Sequence, residues 1–353
     1  MPFGIGQDGR FVPYTRRSLI WITISAAVQL LVVCKSATHD NQIARNGQSY
    51  VSVVENVVRI MESLKVPHLI ATWISMRHIA GYVSRWQQFE VMFSSVWNEY
   101  TLPRLRPWIG TCVVTVFAVL VASLVVLDEH LFKTHGSAWT MLSYFFSAYY
   151  AAIIVTFWTF HCIYIVKVSR LLHFIMIKEV FNCSSPDADK VRRVRLLWVE
   201  LRGLLSDLVK AFSLPIATQV TIYFVMYIFS SYSLLNALAD RQVFKIIGFI
   251  SPWIWAGLVI CLVIESYHKG HNEVVKHTLL VVFSLPVPKL PIATKIQIDL
   301  FIDSLLDKSL PEELSGFLKL DRTLTVSITS RLITFLIVLM QFDSRTLRIM
   351  DQI

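Results

Sequence analysis

Residues 324–342 read LTVSITSRLITFLIVLMQF. As a helix rising ~1.5 Å per residue, this stretch covers most of a ~30 Å bilayer core. Its uncharged polar residues are ordered. Ser327, Ser330, Thr334 and Gln341 fall at i, i+3, i+7 and i+14, one narrow stripe of a helix. Leu332, Phe335, Leu336, Leu339 and Phe342 are expected on the other side. A hydroxyl-and-amide stripe on a membrane helix suits lining water or packing against copies of itself. The competing reading is that each hydroxyl bonds back to its own backbone and has no further role.

The rest of the chain fits a membrane setting. Of 353 residues, 55% are hydrophobic and 16% charged, with a mean hydropathy of +0.57. Soluble domains carry ~25% charged residues. The net charge of +9 is therefore assigned to loops at a membrane face, and no nucleic acid is expected as a partner. Five cysteines (Cys34, Cys112, Cys162, Cys183, Cys261) lack CxxC spacing, so neither a zinc site nor a disulfide framework is expected. The apolar run after the basic N-terminal residues has no cleavage site and is read as a span that directs its own insertion.

In order, 18–34 is a first span and 35–50 a polar loop. Segment 51–76 is a second span bearing Glu55, Arg59, Glu62 and Lys65, a charged face that must meet protein or water. An interfacial helix is the alternative there. Residues 77–107 read as a basic, tryptophan-bearing linker. Third and fourth spans follow at 108–127 and 138–168. His161 in the fourth is read as hydrogen-bonded packing, not a proton relay. Asp128, Glu129, His130 and His135 form a solvated cluster more readily than a metal site. The basic stretch 178–210 leads into a helix below the membrane. A fifth span occupies 211–235, with Pro215 expected to bend it, and a sixth 244–267. After three prolines a helix is expected at 296–306, then the last span. Overall this is an all-α membrane protein with seven transmembrane helices. Residues 1–17 form a tail, 18–270 a six-helix bundle, 271–322 anchor helices, 323–342 the last helix and 343–353 a second tail.

The N-terminal tail and the loops after spans two, four and six hold about three times as many Lys and Arg as the opposite set. That places the N-terminus in the cytoplasm and the C-terminus outside. G-protein-coupled receptors have the reverse topology, and their Asp-Arg-Tyr and Asn-Pro-x-x-Tyr motifs are absent. The only sequon, Asn182-Cys183-Ser184, falls on the cytoplasmic side. No Gly-rich phosphate loop, H-E-x-x-H or G-x-S-x-G occurs, so no enzyme activity and no cofactor is expected. No pair of inverted, broken-helix halves marks a transporter.

Thr334-Phe335, five apolar residues, then Gln341-Phe342 resembles the C-terminal signature of insect gustatory receptors. Ser315-Gly316-Phe317 and Asp321 resemble the residues that precede it. Phe335 stands where the family usually has Tyr, so any hydrogen bond from that hydroxyl is missing here. The resemblance implies a ligand-gated cation channel, homotetrameric or mixed with related receptors, in the plasma membrane of a sensory neuron. The last helix would then line the pore through Ser327, Ser330, Thr334, Gln341 and Phe342, with the gate at Gln341 and Phe342. Arg331, off the stripe, is read as pairing with Glu55 or Glu62 of the second span; snorkelling toward backbone carbonyls is the alternative. A tastant would bind in the outer half of the bundle near Tyr149, Tyr150, Tyr227, Tyr232, Trp253 and Trp255; an aromatic interfacial belt is the alternative reading for these. Trp86 with Glu90, and Glu129-His130, resemble sugar-type receptors, whereas Phe335 and the short N-terminal tail point toward a bitter or other small-molecule receptor.

Overall fold

The computed structural model describes residues 3–5, 11–13, 53–102, 138–178, 188–239, 241, 243–284, 290–306, 313–314, 318–320 and 322–350. The expected first and third spans lie outside these. The described chain is helical apart from two short antiparallel strand pairs, β1 (Phe3–Ile5) with β2 (Phe11–Pro13) and β3 (Glu313–Leu314) with β4 (Leu318–Lys319). Its long helices are α1 (Val53–Val96), α2 (Ala138–Met176), α3 (Ala188–Ala239) and α4 (Val243–Asn272). A π turn at Glu273–His277 continues α4 into α5 (Thr278–Phe283). The helices α6 (Ile292–Leu306) and α7 (Arg322–Met350) follow.

Three expected boundaries are corrected. The 77–107 linker is helix as far as Val96, and α1 runs through Pro67 without ending. Its buried residues there, Ile79, Tyr82, Trp86, Phe89 and Phe93, recur at helical spacing, so packing outweighs the basic, polar composition. The basic helix and the fifth span are one helix of 52 residues with Pro215 inside it. At 1.5 Å per residue α3 is about 78 Å long, more than twice a bilayer core. The last helix continues past Phe342 to Met350, so the expected tail is partly helical.

Cross-helix contacts give the helix directions. His68 of α1 meets Thr218 of α3 at 3.1 Å, while Arg85 of α1 meets Glu200 of α3 at 3.2 Å. Those two helices are antiparallel. Trp158 donates to the Val263 carbonyl (3.1 Å) and His173 reaches Thr278 (2.8 Å), so α2 and α4 run in parallel. Tyr82–His161 and Tyr100–Phe174 ring contacts make α1 and α2 parallel as well. Thus α1, α2 and α4 run one way and α3 the other. We call the end where α3 begins and α1, α2 and α4 finish the basal end, and the opposite one distal.

The tightest packing is basal. Trp198, Phe93, Phe301, Leu172, Ile175, Met176, Leu197 and Leu201 are fully buried there. Helix α6 joins this core through Thr294, Ile298, Phe301 and Leu305, one face at i, i+4, i+7 and i+11. Arg202 donates to the Ser304 carbonyl, and Arg85 passes over Gly203 to pair with Asp207 and Glu200. A Cβ on Gly203 would sit 3.2 Å from the Arg85 guanidinium. By length and composition, two of the described segments, Ala151–Met176 and Ala188–Leu235, could cross a membrane. Ile153, Ile163, Ile254, Leu258 and Leu262 are exposed on these helices and on α4, as a lipid-facing surface would be.

Candidate functional site

The terminal helix α7 rests on α3 and α4 by one line of residues. Ile328 and Leu332 are buried, and Leu324 and Leu336 half-buried, a four-residue repeat that defines a single narrow face. Ser327, Ser330, Thr334 and Gln341 are all exposed on the opposite side. The side chain of Phe342 is outside the described residues. Val326, Ile333, Ile337 and Val338 are also exposed, so α7 offers most of its circumference to something other than its own bundle. Phe335, expected on the packed side, is 48% exposed: the line set by Ile328 and Leu332 passes through Leu336 and leaves Phe335 off it. Thr334 donates to the Ser330 carbonyl at 3.1 Å and Thr329 to that of Thr325 at 2.9 Å. The back-bonding reading therefore holds for Thr334, though its hydroxyl lone pairs stay available as acceptors. Arg331 is exposed; the side chains of Glu55 and Glu62 lie outside the described residues.

The foot of α7 is fixed. Arg322 grips Glu265 near the end of α4 with two hydrogen bonds, Nη2 to Oε1 at 2.9 Å and Nε to Oε2 at 3.2 Å. Lys269 approaches the same carboxylate at 3.6 Å.

Toward the distal end, aromatic residues of α3 and α4 meet. Tyr227 stacks on Trp253 with centroids 5.5 Å apart and planes 20° from parallel. Trp255 donates its indole N–H to the Tyr223 hydroxyl at 3.2 Å. Gly257 makes room: a Cβ there would lie 3.4 Å from the Tyr227 ring. Tyr232 is half-buried on α3, and the side chains of Tyr149 and Tyr150 are outside the described residues. The structure thus brings Tyr227, Trp253 and Trp255 together. It adds Tyr223 and Gln219, both buried, which the sequence reading missed. Their signal was present: Gln219, Tyr223, Tyr227 and Ser231 are spaced by four and share a face. The Gln219 side-chain oxygen is buried with no hydrogen-bond partner among the described residues, an acceptor that a ligand donor would satisfy.

His161 is a packing residue. Its Nδ1 lies 3.0 Å from the Phe157 carbonyl and must donate to it, and the ring stacks on Phe157 at 4.0 Å. Trp86 is buried, and Glu90 accepts from Tyr164 at 3.4 Å at the surface. The pair belongs to helix packing between α1 and α2.

The profile of the 7tm chemosensory receptor family matches residues 1–346. Among curated proteins, gustatory and odorant receptor 22 of Anopheles gambiae is 23% identical over 361 residues, covering 98% of this chain and 74% of its own length. Gustatory and odorant receptor 21a of Drosophila melanogaster is 20% identical, covering 77% of this chain and 60% of its own. Gustatory and odorant receptor 24 of Anopheles gambiae is 23% identical, covering 81% and 61%. The chain therefore spans about three-fifths of the length of the latter two.

Proposed function

The chain belongs to the 7tm chemosensory receptor family, and on that premise we propose that it is a chemostimulus-gated, non-selective cation channel of a sensory neuron's plasma membrane. The pore is formed by four copies of α7 about one axis. One observation carries this reading: Ser327, Ser330, Thr334 and Gln341 are exposed on the face opposite Ile328 and Leu332. A membrane helix that turns a line of hydroxyl and amide groups away from its own bundle suits a water-filled axis or contact with another copy. With the N-terminus inside and the C-terminus outside, Gln341 and Phe342 stand at the outer mouth. A ring of Phe342 side chains blocks ions by excluding water, and a small rotation that brings in Gln341 rewets the pore.

The ligand is a neutral small molecule held near Gln219, Tyr223, Tyr227, Trp253 and Trp255. Aromatic faces with a few polar groups suit a sugar, the first choice here. A second reading is a bitter or other small stimulus, and volatile compounds belong with it: the three relatives carry both "gustatory" and "odorant" in their names.

Expression in oocytes with recordings against sugars, bitter compounds and volatiles tests the proposal. A ligand-evoked current that persists when G-protein signalling is blocked is expected, and Gln341→Ala or Phe342→Ala should change basal current or selectivity. Unchanged gating in both variants would remove the gate assignment. Substrate-coupled flux in place of a gated current would make the protein a secondary transporter.

A further inference from the structure

Three side chains meet at the basal end, the opposite end from the aromatic cluster. They are His173 of α2 with Glu273 and His277 of the π turn, and their ligand atoms lie within 4.8 Å of one another. His173 is buried and His277 exposed. We propose that these residues form a binding site for a divalent transition-metal ion of the zinc class, open to solvent on the His277 side.

The hydrogen bonds around His173 decide which nitrogen is available. Thr278 has one hydroxyl proton, which it gives to the backbone carbonyls of Val274 (3.0 Å) and Glu273 (3.2 Å). Toward His173 Nε2, at 2.8 Å, its oxygen can then only accept. Nε2 therefore carries the ring proton and Nδ1 keeps its lone pair. Nδ1 lies 3.9 Å from Glu273 Oε1. Two acceptors that close repel unless a proton or a metal ion lies between them. A histidine whose distal N–H is fixed by a hydroxyl, with its other nitrogen beside a carboxylate and a second imidazole, is the donor arrangement of a zinc ligand with its supporting partner.

Packing holds the pieces. The His173 ring stacks on Trp198 at 5.2 Å and meets the His277 ring at 5.1 Å. The π turn sets the other two: its five-residue hydrogen-bond step shifts Glu273 and His277 relative to an α-helical register, a distortion frequent at functional sites. Zinc bonds of ~2.0–2.2 Å need ligand atoms roughly 3.3 Å apart, so an ion would draw the three together by up to about 1.5 Å. Arg170 holds Glu273 from outside, Nε to Oε1 at 3.2 Å and Nη2 to Oε2 at 3.3 Å. It is 68% exposed, and a carboxylate has about four lone-pair sites, so it shares Glu273 without filling it. Three protein ligands leave a fourth position for water. An ion here would staple the end of α2 to the joint between α4 and α5.

The test uses the full chain, purified without a histidine tag, stripped with a chelator and titrated with Zn2+. One saturable ion per chain and a raised melting temperature are expected. His277→Ala removes an exposed ligand and should leave the fold intact while weakening binding at least about tenfold, in line with the loss of a ligand or its support. Glu273→Gln should do the same. Co2+ in place of Zn2+ should give the intense visible bands of a four-coordinate site, lost in His277→Ala. Absence of saturable binding would overturn the proposal, as would equal binding by the parent and both variants.

Discussion

At the scale of single residues, the basal core supplies the sharpest contrast. Trp198 is 1% exposed, stacked on His173 and edge-on to Phe301 at 6.2 Å. Its indole N–H is buried without an acceptor among the described residues. Trp198→Ala should cost about 3–5 kcal/mol through lost burial and the cavity left behind. Trp198→Phe keeps much of the ring and removes the orphaned N–H, so the gain offsets part of the lost volume. The Phe variant should melt close to the parent and the Ala variant well below it, in the same detergent. Equal losses would mean the site collapses around neither ring. Gly257 is a second residue with a clear role. Even a first side-chain carbon there would lie 3.4 Å from the Tyr227 ring, so the two methyls of a Val would push that ring off Trp253. Gly257→Val should then reduce ligand sensitivity with surface expression unchanged; a normal dose–response would detach this stack from recognition.

Among elements, α7 and α6 were the most legible in the sequence, because a helix with one packed face prints its period. The residues of the i, i+3, i+7, i+14 stripe are exposed on α7, and α6, which begins at Ile292 and not at the expected 296, buries one face. Helix α1 beyond residue 76 was illegible to hydropathy: Arg77, His78 and Arg85 lower the average, although Tyr82, Trp86, Phe89 and Phe93 keep helical spacing. Composition reports where a helix leaves the apolar medium, not where it ends. The joint between elements is the Glu265–Arg322 pair, where α4 grips the start of α7. It is exposed and contributes little to stability, but it couples a helix of the aromatic cluster to the helix of the polar stripe. Arg322→Glu should shift the half-maximal ligand concentration by up to about fivefold, the range of an exposed ion pair. Glu265→Arg in the same chain should restore it. A double variant no better than the single one would assign the shift to something other than the pair.

For the whole molecule, long-range neighbours such as His173 and Glu273, 100 positions apart, could not be read from the sequence, because no local period connects them. The helix directions could be anticipated in part, and they support a sharp experiment. Since α1 and α3 are antiparallel and α1, α2 and α4 parallel, Glu99 and Ser284 belong to the basal end, whereas Arg241, between α3 and α4, belongs to the distal end. Basic residues crowd the basal end, which should keep it in the cytoplasm. In a cysteine-free background, Arg241→Cys should react with a membrane-impermeant thiol reagent on intact cells, while Glu99→Cys and Ser284→Cys should react only after permeabilisation. The two halves of this outcome test different things. Labelling of Glu99→Cys and Arg241→Cys from the same side would contradict the antiparallel pairing, since one passage of α3 separates them. Opposite sides with the reversed sense would keep the bundle but invert it, placing the C-terminal end of α7 and the Tyr227–Trp253 stack on the cytoplasmic side.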